Sequence, residues 1–285
     1  MLEPDELGHS KDDLAKALRE LRGACGMSGA EVARRAFMSQ PKVSRIENGR
    51  HVPDTGEVAR LCEVYSADEQ TTAQLLTLAR LSRTDYRSDR ATARKGFHHK
   101  QTELRGFETK ADVTRYFLPA ALTGLVQTRA YAEAAVGIHR PLSMDAKARV
   151  VDAKMTRQEA LQDPDRRFVF LLTETAIRAR IVPRGAMAEQ CAHLASVAEL
   201  PNVEVAVVPF GARFPAMPLN TFVVYDERFV TVELFSGEVL LHDPQDVAEH
   251  LALFARLHDV AITGAACRAF LRGVAAQYSA EAETD

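Results

Sequence analysis

Apolar positions recur at helical spacing through the first 81 residues of the 285-residue chain. Leu14, Ala17, Leu18, Leu21 and Cys25 share one face and predict a first helix. Ser28-Gly29-Ala30-Glu31 reads as a capping box, opening a short helix to Ala36 with Val32 and Ala36 inward. Phe37-Met38 makes a tight turn. Ser39 then reads as an N-cap, Pro41 sits in the first turn where a missing N–H costs nothing, and Gly49 is placed to end the helix in a left-handed conformation. Asp54-Thr55-Gly56-Glu57 starts a fourth helix carrying Val58, Leu61 and Cys62, and Ser66-Ala67-Asp68-Glu69 a fifth carrying Leu75, Leu76, Leu78 and Leu81.

The third helix is the unusual one. Val43 and Ile46 are its inward residues, while Gln40, Lys42, Ser44 and Arg45 show a face of hydrogen-bonding side chains suited to base edges and phosphates. Two short helices joined by a tight turn, the second polar-faced, describe a helix-turn-helix.

Residues 1–12 read as a disordered lead-in and 82–100 as a basic linker with little apolar periodicity. A helix is predicted over 101–116, ended by Phe117-Leu118-Pro119, followed by an apolar loop around Gly124, a helix capped by Thr128, and a longer one from Ser143 with Arg149, Lys154, Arg157 and Gln158 on its polar side. Past Pro164 the period shortens. Arg167–Thr173 and the β-branched run Val203–Val208 read as strands, Thr221–Asp226 and Phe229–Phe235 as a hairpin, and Val239–Leu241 as a further strand. Helices over 185–200, 244–260 and 266–277 complete the pattern. The fold class is therefore α+β: a five-helix helix-turn-helix domain over 13–81, the linker, and a larger domain over 101–278 with a small, mostly antiparallel sheet.

Composition adds an ordinary soluble profile and no run long enough to cross a bilayer. The N-terminus is acidic and lacks the apolar core of a signal peptide, so a cytoplasmic chain is expected. The net charge of −3 hides an uneven distribution: Arg and Lys outnumber acids over 82–115, and acids dominate from Ser236 onward. The basic end is the one suited to phosphate. Cys25, Cys62, Cys191 and Cys267 lie far apart and read as buried thiols in a reducing cytoplasm, not as a zinc site or a disulfide framework. No phosphate-binding loop, dinucleotide fingerprint, zinc-protease or nucleophile-elbow motif occurs. His98-His99 lacks companion ligands, and Glu174 reads as a buried, hydrogen-bonded acid near Arg178 or Arg157. We expect no catalytic residue, no metal and no cofactor.

The run "MSGAEVARRAFMSQPKVSRIENGRHVPD" resembles the Cro/phage-repressor (Xre) type of DNA-binding domain. The resemblance implies base contacts from Gln40, Ser44 and Arg45, with Lys42 beside them. It implies phosphate contacts from Ser28, Ser39 and Asn48, to which Arg35 and Arg50 are added. It also implies a structural pair, Arg22 with Glu47, tying the first helix to the third; breaking such a pair, if buried, costs roughly 3–5 kcal/mol. Farther along, "LTGLVQTRAYAEAA", "RQEAL", "FVFLLTETAIRARI", "AEQCAHLASVAELPNVEVAVVPF" and "TFVVYDE" resemble the C-terminal domain of actinobacterial WhiJ-like, antitoxin-like regulators, with Thr123 standing where that family usually has Pro. In that family the partner is typically a small protein encoded nearby. Three readings follow: a homodimeric sequence-specific transcriptional regulator of double-stranded DNA; an antitoxin-like protein whose main task is to hold a small partner protein; or a one-component sensor of a small ligand.

Overall fold

A computed structural model describes residues 4–138 and 141–282. The chain divides into two compact units, Met1–Tyr86 with Val239–Ala248, and Arg87–Glu238 with Glu249–Asp285. The first unit holds α1 (Pro4–Ala24), α2 (Gly29–Arg35), α3 (Gln40–Glu47), α4 (Thr55–Val64) and α5 (Glu69–Ser82). Their starts are fixed by caps: Ser28 accepts from Glu31 N at 3.2 Å, Asp54 and Glu57 form a reciprocal capping box, and Asp68 accepts from Thr71 N at 2.7 Å. Leu14, Leu18, Val32, Ala36, Val43, Ile46, Val58, Leu61 and Leu75 form the common core. The helix α1 begins well before the expected position, so residues 4–12 are helical and not a lead-in. Ser10 in this extension is buried and bonded to Ser82 at the end of α5, at 3.2 Å between hydroxyl oxygens. Residues 1–3 of the expected lead-in lie outside the described residues.

The stretch read as a linker carries regular structure: β1 (Thr84–Ser88), α6 (Asp89–Lys95) and the start of α7 (Phe97–Glu108). Ser88 caps α6 by accepting from Arg90 N, and Gly96, at φ 98°, makes the break between the two helices that a side-chained residue would resist.

The second unit continues with β2 (Val113–Leu118), a 3-10 turn (Gly124–Val126), α8 (Arg129–Ala135), α9 (Met144–Arg157) and a second 3-10 turn (Gln158–Gln162). Then come β3 (Arg167–Thr173), α10 (Glu174–Arg178), α11 (Arg184–Val197), β4 (Val203–Val208), β5 (Phe222–Tyr225), β6 (Phe229–Leu234), β7 (Gly237–Leu241), α12 (Pro244–His258) and α13 (Gly264–Ala282). Sheet order is β1-β7-β6-β5-β2-β3-β4. The α+β class holds, but the sheet is seven-stranded and mixed. β2, β3 and β4 pair in parallel, with helices making the crossovers that parallel neighbours require, while β2–β5 and β5–β6 are antiparallel. The expected hairpin turn is present, with Tyr225 opposite Phe229 and Asp226 at φ 54°.

Two expectations in this unit change. Residues 113–118 form the strand β2 between β5 and β3, not the end of a helix, and Tyr116, Phe117 and Leu118 are all buried there. Arg157, expected on a polar helix face, is buried and held by Glu108, with Tyr116 and Gln101 as further partners. Burial pushes the Tyr116 hydroxyl pKa well up, and the neighbouring Glu108 charge pushes it further. The expected buried acid Glu174 is found, paired with Arg178 at 2.6 Å and accepting from Phe210 N at 2.9 Å. Cys62, Cys191 and Cys267 are buried and Cys25 is exposed.

Candidate nucleic-acid interface

Ala36 is the C-cap of α2, and Phe37, 91 % exposed, takes the left-handed conformation (φ 54°) that makes the turn. Such backbone geometry disfavours a residue with a Cβ. Met38 N then donates to Ala33 O at 2.9 Å, closing the turn. Ser39 stands at the N-cap of α3 with extended backbone; its carbonyl accepts from Lys42 N and Val43 N, but its hydroxyl makes no cap bond and stays exposed. Asn48 is the C-cap, and Gly49 follows at φ 68°.

Within α3, Val43, Ile46 and Glu47 are buried. Gln40, Arg45 and Asn48 are exposed and Ser44 is half-buried, so these four share the outward side. Asn48 donates from Nδ2 to Ser44 O at 2.7 Å. Arg45 has no ion-pair partner among the described residues. Lys42 departs from expectation: its ammonium is ion-paired with Glu57 of α4. Glu57 is buried and also accepts from Asp54 N, and His51 lies 3.7 Å away. Burial alone pushes the Glu57 carboxyl pKa up, but the Lys42 and Asp54 hydrogen bonds outweigh it and leave it below the ordinary value. Lys42 is thus an anchor of α3 against α4 rather than a free donor.

Arg22 donates from Nε to Glu47 Oε1 at 2.7 Å and from Nη1 to Met27 O at 3.1 Å, and the Tyr65 hydroxyl donates to Glu47 at 3.4 Å. The Glu47 side chain is 8 % exposed and that of Arg22 29 %. The bond to Glu47 raises the Arg22 pKa despite partial burial. Around this helix, Ser28 is spent on capping α2 but exposed, Arg35 pairs with Glu31 of its own helix at 2.5 Å, and Arg50 is exposed, its backbone N bonded to Arg45 O. Ser28, Ser39 and Asn48 flank the exposed stripe at the ends of α2 and α3.

The contacts of Asp243 and Arg83 left little signal in the sequence. Thr55 donates from N and Oγ1 to the carboxylate of Asp243, at 3.1 and 3.0 Å, across 188 positions of sequence. Asp243 is buried, and it also accepts from Gln245 N at 3.0 Å. Arg83 donates to His242 O and to Val52 O. The returning segment 239–248 is therefore a structural part of the helical unit. Only the Asp243-Pro244 pair, a helix-start signature, hinted at a capping role for Asp243.

Among the described residues no group of three or more His, Cys, Asp or Glu is placed to hold a metal ion, and no helix is long and apolar enough to cross a membrane. The helical unit carries a helix-turn-helix, and the family description "Helix-turn-helix domain" matches residues 13–75. The larger part of the chain matches "Domain of unknown function (DUF5753)" over residues 101–273, and the chain belongs to that family. No curated protein matches it in sequence. A solved structure, that of TrmBL2, described as an archaeal chromatin protein with a novel mode of DNA binding, aligns over 83 % of this chain and 87 % of its own at 14 % identity, with a TM-score of 0.34. A score that low carries no argument about fold or binding.

Proposed function

We propose that the protein is a sequence-specific, DNA-binding transcriptional regulator of the Xre type, homodimeric and cytoplasmic, whose C-terminal unit receives the signal. The observation that carries this reading is the second helix of the helix-turn-helix. It is pinned at Lys42 and Glu47 by ion pairs to neighbouring helices, and it leaves Gln40, Ser44 and Arg45 outward. In this proposal those three side chains read bases in the major groove. Ser28, Arg35, Ser39, Asn48 and Arg50 meet the phosphates, with Arg35 turning from Glu31 to do so. Lys42 positions the helix. Two copies supply two half-sites, since one small reader binds a single half-site weakly.

The test is selection of bound duplexes from random DNA, followed by titration of the selected site. Arg45→Ala should cost roughly 1–3 kcal/mol and relax preference at one base pair, and affinity should fall steeply with salt. Unchanged affinity in a folded Arg45→Ala protein refutes the assignment.

A second reading draws support from the exposed apolar side chains Phe210, Met217, Leu219 and Phe235 in the C-terminal unit. Phe210, Met217 and Leu219 lie on the one segment between β4 and β5, and exposed apolar surface of this kind suits an interaction site. Under this reading the chain is a WhiJ-like, antitoxin-like protein that holds a small protein encoded nearby, and DNA binding is autoregulatory. Co-purification of a stoichiometric partner from the native host separates it from the first.

A further inference from the structure

One face of the antiparallel half of the sheet is not sealed by apolar packing. Tyr116 of β2, Val223 and Tyr225 of β5 and Thr231 of β6 form the floor of a cavity of about 200 Å³, roofed by α7, α9 and the turn 121–127. That is below the roughly 300–1,000 Å³ of drug-sized ligand pockets, so the occupant is small.

Three cations line this cavity, and two are already matched. Arg157 is held by Glu108, and Lys100 lies 3.6 Å from the buried carboxylate of Glu238. Lys154 is different. Its ammonium donates to the amide oxygen of Gln127 at 2.9 Å, and no carboxylate is within ion-pair distance among the described residues. Burial, aided by the like charge of Arg157, lowers its pKa to about 8. Glu233, an exposed acid of the lining, makes no ion pair with Lys154, and its charge offsets the lowering only in part.

The amide that meets Lys154 is fixed. Gln127 Nε2 donates to Leu122 O at 2.7 Å, which turns its oxygen toward the ammonium. Gln158 donates to Gly124 O and Gln127 O, and the buried Gln190 donates to Val126 O, so the turn is held from both sides. Gly124 packs so closely on the Lys154 stem that an added Cβ would lie 3.0 Å from its Cγ. Further donors face the same space. Gln101 spends its oxygen on Arg157, leaving its amide N–H groups, and the buried Tyr225 hydroxyl, beside Thr231, meets no well-aligned partner.

We infer that this cavity binds a small organic acid, its carboxylate on Lys154 and its other polar groups on Gln101, Tyr225 and Thr231. A half-buried cation without an ion-paired carboxylate gains from a matching anion. A single ammonium with amide and hydroxyl donors suits a carboxylate; among the described residues of the lining the one guanidinium, Arg157, is already held by Glu108 and offers no free fork to a phosphate. The regulatory meaning rests on the C-terminal unit being the signal receiver. Binding itself is measured without DNA, so failure of either reading leaves the other standing.

The test is thermal melting of the full-length protein with a panel of small 2-amino, 2-hydroxy and 2-oxo mono- and dicarboxylic acids, with phosphate and the neutral amides of the same acids alongside, and calorimetry on the best ligand. An acid that binds should raise the melting temperature by mass action. Its amide should not, and Lys154→Met should weaken binding at least about tenfold, the worth of a charge-assisted hydrogen bond. Gln127→Glu places an internal carboxylate on Lys154 and should abolish the response in a folded protein; this variant decides the matter if Lys154→Met fails to fold. The inference is overturned if no acid of the panel binds, if phosphate or an amide binds as well as the acid, or if binding survives Gln127→Glu.

Discussion

Removing either half of the Arg22–Glu47 pair should loosen the reader helix, but the two removals should differ. The sequence predicts a uniform cost of roughly 3–5 kcal/mol for a buried pair. The structure makes it unequal. Arg22→Met strands a carboxylate whose side chain is 8 % exposed and whose one remaining side-chain donor is the Tyr65 hydroxyl at 3.4 Å. Water can partly fill the space left by Arg22, itself 29 % exposed, so the expected loss is about 2–3 kcal/mol. Glu47→Gln keeps an acceptor for Arg22 Nε, and the guanidinium retains Met27 O and solvent, so that loss should be about 1 kcal/mol. Hydrogen exchange reads the helical unit separately from the rest of the chain, so the assay is native-state hydrogen exchange of the full-length protein, read on peptides from α1 and α3. Equal protection loss in the two variants, or a larger loss in Glu47→Gln, refutes the assignment of the pair as a carboxylate buried against a partly solvated cation.

Two further outcomes follow from the same reasoning. Asp243→Ala removes the acceptor for Thr55 N, Thr55 Oγ1 and Gln245 N; unsatisfied buried donors cost roughly 1–3 kcal/mol, so exchange should speed up in the first turn of α4, and unchanged protection there would show the contact to be idle. Lys154 has a folded pKa of about 8, below the ordinary lysine range, so between those values the unfolded chain binds more protons and stability rises as pH climbs above 8. Lys154→Met should lack that rise, and identical pH profiles of melting temperature would place the ammonium in water.

The helix-turn-helix was legible because its signals are local. Caps at Ser28, Asp54 and Asp68, Gly49 past the end of α3 and apolar spacing of three and four fix each helix within its own few residues. The strand β2 was not. Phe107 and Ala111 set a helical spacing and no breaker follows before Pro119, so only pairing with β3 and β5 decides the conformation of Val113–Leu118. Tertiary context overrode a period that was ambiguous at this length. Arg157 failed for a related reason: charge on a predicted helix reads as solvated, and the partner that justifies burial, Glu108, lies 49 positions earlier. The bonds of Asp243 span still more of the chain.

The ion pair of Lys42 shows what a polar face does in a short helix. With Val43 and Ile46 as its fully buried apolar side chains, α3 has a narrow stripe with which to fix its rotation about its own axis. Hydrophobic contact is non-directional, and a stripe this thin tolerates rolling. Two ion pairs supply the missing direction. Glu47 is drawn to Arg22 of α1 and Lys42 to Glu57 of α4, from different sides of the helix. A roll either way stretches one of them. Glu57 is held in turn by the capping box that starts α4, and the same first turn is bonded to Asp243. Polar residues on such a helix therefore divide by partner, not by chemistry. Those with a buried counter-charge set the rotation, and those without one, Gln40, Ser44 and Arg45, are what that rotation presents.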